Sequence, residues 1–450
     1  DNRSPTTHSV NQFMLTHRFN DLRIYLLTLG FLVLALLFIY QTGGYVDGFD
    51  IQARHESLRD YGVWVRAGEN LLLHKNPYLE DVILKSGTFS SLMIYLLFKL
   101  SFDNYLFFLL MQTLNILGVI TYLYIFRFTS VASTVMIFLM LTFSSTREVL
   151  VNGQTTGILI GGFAIAYKIL SAIHNQEIKS KYLRYFALFL ASLFLIVGLD
   201  LKPNLMLMPF LVLIKHYKEF RVFFLTLVLW IIHQFYFSLK VNDLLFFSWI
   251  KNLREVVSYE TNPNFFGSIG VWQVFNFANL PALFLEVAPV ITFLTMGLIS
   301  LLALKRWGIN VAIFLAFFAN YLYTYFHFYS FTPLLAYLIF KLINHKYHGI
   351  SGFAISSMQF SFNYESLTIL FLSFGVLAIL LTLYTLPSYK ATFYFCLGWV
   401  AFIPVKLGLF AILDLEPLVA KSIVALIPIV FSIFGSWELY GKKKSDKISH

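Results

Sequence analysis

Leu22-Arg-Ile-Tyr-Leu-Leu-Thr-Leu-Gly-Phe-Leu-Val-Leu-Ala-Leu-Leu-Phe-Ile-Tyr40 carries one charged side chain, Arg23, in an otherwise almost wholly apolar run. As a helix it is long enough to cross a hydrocarbon core of about 30 Å. Lipid offers the backbone no hydrogen-bond partners, so each N–H and C=O must be paired within the segment, and the run reads as helical. Leu367 to Leu386 repeats the pattern near the other end of the chain. No succession of short alternating segments, the signature of a membrane β-barrel, is present.

The composition agrees. Charged residues make up 12% of the 450-residue chain, against about 25% in a soluble domain, and the mean hydropathy is +0.73. Apolar runs mark candidate spans at Leu22–Tyr40, Tyr105–Phe126, Val131–Phe143, Thr155–Leu170, Tyr185–Leu199, Pro203–Ile214, Val222–Leu239, Leu283–Leu304, Asn310–Tyr325, Phe328–Leu342, Leu367–Leu386, Thr392–Ile412 and Leu418–Phe434. A shorter piece, Phe89–Leu100, reads as re-entrant or interfacial. The expected fold is therefore all-α: a polytopic transmembrane bundle of about 12–13 spans, forming a single integral membrane domain over residues 1–450. Asp1 to Arg18 is polar and lacks the charged-then-apolar order of a cleaved signal peptide, so Leu22–Tyr40 reads as a retained first span. The single cysteine, Cys396, excludes an intrachain disulfide and any cysteine-rich metal site.

Orientation follows the basic residues. With the N-terminus inside, the connections carrying Lys179, Lys181 and Arg184, then Lys215, Lys218 and Arg221, then Lys305 and Arg306, all fall inside, as the positive-inside bias requires. The net charge of +10 is spread over such connections and the tail, which fits membrane anchoring and not nucleic-acid binding. The first loop, 41–88, and a second large loop, 240–281, then lie outside. Thirteen crossings would put the lysine-rich tail outside as well, against the bias. Either one segment does not cross or one is missed near Gly352–Phe362.

The first loop is the most highly charged region, with Asp47, Asp50, Glu56, Asp60, Glu69, Glu80 and Asp81 beside Arg54, Arg59, Arg66, Lys75 and Lys85. Outer basic residues run against the topology bias; they are accommodated by pairing with the acids of the loop or by meeting an anion. Within it, Leu58 to His74 reads as an amphipathic helix, with Leu58, Tyr61, Val65 and Leu72 at helical spacing and Arg59, Arg66 and Glu69 between them. Such a helix is expected to lie along the membrane surface with Trp64 near the headgroups, ending at Asn76-Pro77. Asp60 falls in its first turn, where the helix dipole favours a carboxylate.

The stretch Asp60-Tyr-Gly-Val-Trp-Val-Arg-Ala-Gly-Glu-Asn-Leu-Leu-Leu-His-Lys-Asn-Pro-Tyr78 resembles the first-loop signature of a GT-C family, the polyprenol-phosphate-mannose-dependent α-mannosyltransferases and their bacterial relatives. Asn152-Gly-Gln154, Leu201-Lys-Pro-Asn204 and His327 within Tyr325-Phe-His-Phe-Tyr329 fit the family's order. Two departures stand beside these. Phe89–Tyr95 lacks the family's frequent Tyr-x-Pro, and His327 is flanked by aromatics where a second His or Asp is common.

The resemblance implies a GT-C-like fold. It implies transfer of a sugar, mannose by family default, from a polyprenyl-phosphate donor to a hydroxyl of a glycolipid or glycan acceptor. The site would face the extracytoplasmic side of a bacterial plasma membrane, with no metal and no cofactor. It carries Asp60 over as the base. Candidates for the donor phosphate are His327, Lys202, Arg147 and Arg66, since an arginine fork or lysine suits phosphate oxygens. Gln154, Asn204, Asn264 and Trp64 are candidates for sugar or acceptor contacts. Each also has an ordinary reading: Arg147 pairing with Glu148, Lys202 snorkelling to headgroups, His327 a hydrogen-bonded structural histidine. No phosphate-binding glycine loop, dinucleotide turn or His-Glu-x-x-His motif is present. Two other readings stay open. One is a polytopic transporter or lipid-linked glycan flippase, against which the absence of an internal repeat counts. The other is a lipid-linked oligosaccharide polymerase, whose large loop usually comes late in the chain.

Overall fold

The computed structural model describes residues 60–80, 84, 86–101, 103–125, 154–218, 220–260 and 282–321. Among them the regular structure is entirely helical, and three helices are long and apolar enough to cross a membrane: Thr156–His174, Lys181–Leu201 and the stretch Arg221–Val241. In chain order the helices are α1 (Asp60–Leu72), α2 (Pro77–Glu80), α3 (Thr88–Leu100), α4 (Asn104–Ile125), α5 (Thr156–His174), α6 (Lys181–Leu201), α7 (Pro203–Tyr217), α8 (Phe220–Val241), α9 (Leu245–Glu260), α10 (Ala282–Trp307) and α11 (Ile309–Tyr321). The spans expected at Tyr105–Phe126, Thr155–Leu170, Tyr185–Leu199, Pro203–Ile214, Val222–Leu239 and Leu283–Leu304 each coincide with a helix to within a few residues, and that at Asn310–Tyr325 does so as far as Tyr321, where the described residues end. Those at Leu22–Tyr40 and Val131–Phe143, and all from Phe328 onward, lie outside the described residues, as does the question of the last crossings.

The apolar piece expected at Phe89–Leu100 is a short helix, α3, packed on α1. α1 turns Tyr61, Trp64, Val65, Ala67 and Leu71 inward and leaves Arg66 and Glu69 exposed. Gly68 permits close approach: a Cβ there would stand 2.6 Å from the Ser91 carbonyl oxygen. Two details of the expected helix change. It stops at Leu72, ahead of Asn76-Pro77, in a turn where His74 takes φ 59°. Asn76 instead caps α2, its Oδ1 accepting from Tyr78 N at 2.9 Å. Trp64 is 7% exposed and faces protein, not headgroups, because its indole N–H donates to Ser86 Oγ at 2.7 Å.

α4 and α5 cross at small residues. A Cβ on Gly118 would fall 2.1 Å from the Gly157 carbonyl oxygen, and one on Gly161 would fall 2.4 Å from Gly118 Cα. Gly157 and Gly161 form the Gly-x-x-x-Gly spacing that lets membrane helices touch along their backbones. α6 packs on α5, α7 and α8, and α7 packs on α10 and α11. The break between α6 and α7 follows from Pro203. A residue before proline avoids helical geometry, so Lys202 sits at φ −144°, ψ 77°, and Pro203 opens the next helix.

The segment from 240, expected as a loop, holds α9. Ser238 fixes its start. Its backbone oxygen accepts from Asp243 N and its Oγ from Leu245 N, both at 3.2 Å.

Candidate functional site

Short connections make α5, α6, α7 and α8 alternate in direction, which gathers their ends into two sets. One set carries Lys179, Lys181, Arg184, Lys215, Lys218 and Arg221, with the rings of His174 and Tyr217 5.8 Å apart. The other gathers the start of α5, the α6–α7 break and the later part of α8. Here polar groups lie within an otherwise apolar interior.

Gln154, just before α5, is the first centre. Its backbone oxygen accepts from Asn115 Nδ2 of α4 at 2.8 Å and from the Tyr61 hydroxyl of α1 at 3.4 Å. Asn115 Nδ2 also donates to the Tyr61 oxygen at 2.8 Å, and Asn115 Oδ1 accepts from Ile158 N in the first turn of α5 at 3.1 Å. The side-chain oxygen of Gln154 accepts from Lys202 Nζ at 2.8 Å, and Lys202 donates further to Thr156 Oγ1 at 3.0 Å. Four elements thus meet at one residue, through its backbone and side-chain carbonyl oxygens. Beside it, Thr155 Oγ1 is buried with no hydrogen-bond partner, a state that few buried polar atoms keep without a ligand or water.

Asp200 is the second centre, two residues before Lys202. It is 1% exposed. One of its carboxylate oxygens accepts from Ser90 N and Ser90 Oγ, each at 2.7 Å, and the other from Trp230 Nε1 at 3.0 Å. The acid therefore satisfies an open N–H at the start of α3, that of Ser90, a cap supplied by a different helix. Glycine is required at 87, where a Cβ would lie 2.0 Å from Asp200 Oδ1. Gly87 N donates to the Asp200 backbone oxygen at 2.7 Å, and Ser86 Oγ to the Leu201 oxygen at 2.7 Å. Since Ser86 also receives the Trp64 N–H, α1 is tied to the end of α6 through Trp64 as well as through Tyr61. On the far side of α3, Thr88 Oγ1 lies 2.9 Å from His233 Nε2 and accepts from Gln234 Nε2 at 3.0 Å.

The residues singled out from the sequence divide as follows. Gln154 and Lys202 are in direct contact, and Asn204 lies half-buried in the first turn of α7. Asp60 opens α1, one residue from Tyr61; its side chain lies outside what the structure describes. Arg66 is on the exposed side of α1, its Nε donating to Gly62 O at 3.4 Å. Trp64 is a buried strut with its N–H engaged. Arg147, Asn264 and His327 lie outside the described residues, as do Asp47, Asp50 and Arg54. Asn115, Thr156, Ser90, Asp200, Trp230 and His233 belong to no motif in the sequence. The signal was available: Asn115, Asp200, His233 and Gln234 are polar residues inside apolar runs, which lipid penalises and which therefore need protein partners.

No family model matches this chain, and neither curated proteins nor solved structures yield a match.

Proposed function

We propose that the protein is a membrane glycosyltransferase that moves a sugar from a polyprenyl-phosphate carrier to a hydroxyl acceptor on the outer side of the membrane, within a GT-C-like helical frame. The observation that carries this reading is the Tyr61–Asn115–Gln154–Lys202 network. Three stretches that resemble the family, far apart in the chain, converge on it: the Asp60 helix, Asn152-Gly-Gln154 and Leu201-Lys-Pro-Asn204. The partnerless Thr155 hydroxyl and the charge of Lys202 leave this end suited to an oxygen-rich anionic ligand.

In this reading the acceptor hydroxyl attacks the anomeric carbon of the donor sugar. The bond from that carbon to the phosphate oxygen breaks, and polyprenyl phosphate leaves with the bonding pair. Asp60 takes the hydroxyl proton. Transfer with inversion puts base and leaving group on opposite faces of the sugar, through an oxocarbenium-like transition state. Lys202, held by Gln154 and Thr156, steadies the departing phosphate, as preorganised donors do for developing charge. Mannose is the sugar implied by the resemblance.

The test is transfer by the purified protein from a panel of radiolabelled polyprenyl-phosphate sugars to a lipid extract of its source. Wild type is expected to form a labelled product. A folded Asp60→Asn protein should lose about 10²–10⁴-fold in rate, the usual contribution of one positioned base. Transfer by the variant at wild-type rate would remove Asp60 as base. Failure of a folded wild type to consume any donor would remove the enzyme reading and favour transport.

A further inference from the structure

We propose that α9 is a membrane-surface helix: its Phe246, Phe247 and Ile250 side enters the headgroup–acyl boundary of the bilayer, and Lys251 and Arg254 meet anionic lipid phosphates. The helix has three differently built sides. The first faces protein. Leu245, Trp249 and Asn252 are buried, the Trp249 ring lies 6.0 Å from that of Trp230, and Asn252 Nδ2 donates to the Leu84 backbone oxygen. The second is apolar and largely uncovered, with Phe247 64% and Ile250 45% exposed and Phe246 at its edge, its ring 5.5 Å from that of Trp230. The third is charged, carrying Lys251 and Glu255 at 77% and 55% exposure, 4.0 Å apart; so solvated a pair adds little stability. Arg254 lies where the apolar and charged sides meet, the position from which a long side chain lays its stem on apolar surface and lifts its charge to water.

Water would not leave such an apolar side uncovered beside a charged one without cost, and lipid is the occupant that fits. The apolar side continues from the exposed face of α8, an apolar helix long enough to span. Phe235, Tyr236 and Leu239 lead through Leu244, 63% exposed at the turn, to Phe247. Lys240 lies in the last turn of α8 with its ammonium 5.9 Å from the Tyr236 ring centre, an arrangement suited to the interface. Amphipathic helices with basic flanks bind there through buried apolar area plus attraction to anionic lipid. α9 is also linked to the first-loop segment. Asn76 Nδ2 donates to Ser248 Oγ at 3.2 Å and to Asp243 Oδ2, and Ser248 Oγ donates to Asp243 Oδ2 at 3.0 Å. Docking α9 on lipid thereby sets the height of α2 and the chain between α1 and α3 above the bilayer. The inference rests on α8 being a span and does not depend on the reaction.

The full chain, with Cys396→Ser, would be reconstituted in phosphatidylcholine vesicles with or without phosphatidylglycerol. Single cysteines at Phe247→Cys, Glu255→Cys and Ile231→Cys would carry an environment-sensitive fluorophore. The label at 247 should be quenched by shallow spin-labelled lipid and shielded from aqueous iodide, that at 255 the reverse, and that at 231 by deep spin-labelled lipid. Adding Lys251→Glu and Arg254→Glu should reduce shallow quenching at 247 severalfold in vesicles with phosphatidylglycerol and leave it unchanged without. Equal iodide quenching at 247 and 255, with 231 in lipid, would overturn the proposal; deep quenching at 247 would overturn it too. If 231 is also reached by iodide, the span reading of α8 fails and α9 docking with it.

Discussion

At Asp200 a single carboxylate takes hydrogen bonds from two helices, α3 through Ser90 and α8 through Trp230. Removing it leaves these buried donors without an acceptor, at about 1–3 kcal/mol for each group stranded. Asp200→Leu is therefore expected to lower the unfolding temperature in detergent strongly, whereas Ser90→Ala, which removes one donor of several, should cost about 1 kcal/mol. Equal, small shifts for both would mean that the cap is not built as described. The sequence shows an acid at the end of an apolar run here but not its partners. Ser90 is 110 positions away, and nothing in the local pattern links the two. Gln154 and Lys202 were legible as motif pieces; that they bond to each other was not.

At the scale of elements, the apolar periods of α4 to α8 were readable because length and hydropathy alone set them. Crossing geometry was not. The α4–α5 contact depends on Gly118, Gly157 and Gly161 facing one another. Gly118→Ala would force a Cβ toward a backbone oxygen 2.1 Å away, and overpacking of this kind costs about 1–3 kcal/mol. It should reduce thermal stability in detergent. Gly162→Ala is the control, since its Cβ would meet only the Phe194 side chain, at 3.2 Å, which can turn aside. Equal effects of the two would remove the backbone contact as the cause. α9 escaped the sequence reading because its apolar residues are split between two sides. Leu245, Trp249 and Asn252 recur at helical spacing, but an asparagine stands where a third apolar residue would mark the face. Its partner, the Leu84 carbonyl, is visible only in three dimensions.

For the whole molecule, the segregation of charge gives an orientation that can be measured. With Cys396 replaced, a cysteine at Asn242, in the α8–α9 turn, should react with a membrane-impermeant maleimide in intact cells. One at Asn175, in the α5–α6 turn, should react only after permeabilisation. The opposite pattern would invert the topology and move the Gln154–Lys202 network to the inner side, where the proposed donor chemistry would have to be reconsidered. This prediction rests on the basic residues alone and is independent of the network's function.

The sequence by itself determined the class of secondary structure and marked runs apolar enough to cross a membrane. Long runs that lipid accepts must pair their own backbone, and only a helix does this within one segment. It also marked Pro203 as a place where a helix can break, since the residue before a proline is biased away from helical geometry; Pro209, inside α7, shows that tertiary packing decides whether a proline ends a helix. Tertiary structure alone decided what the polar residues within those runs do. Gln154, Asp200 and Lys202 find the partners described here, and Asn115 those beyond the Met111 carbonyl of its own helix, only when α1, α3, α4, α5, α6 and α8 are brought together. Burial makes such groups costly until they are paired, and the pairs join positions that no local reading of the chain connects.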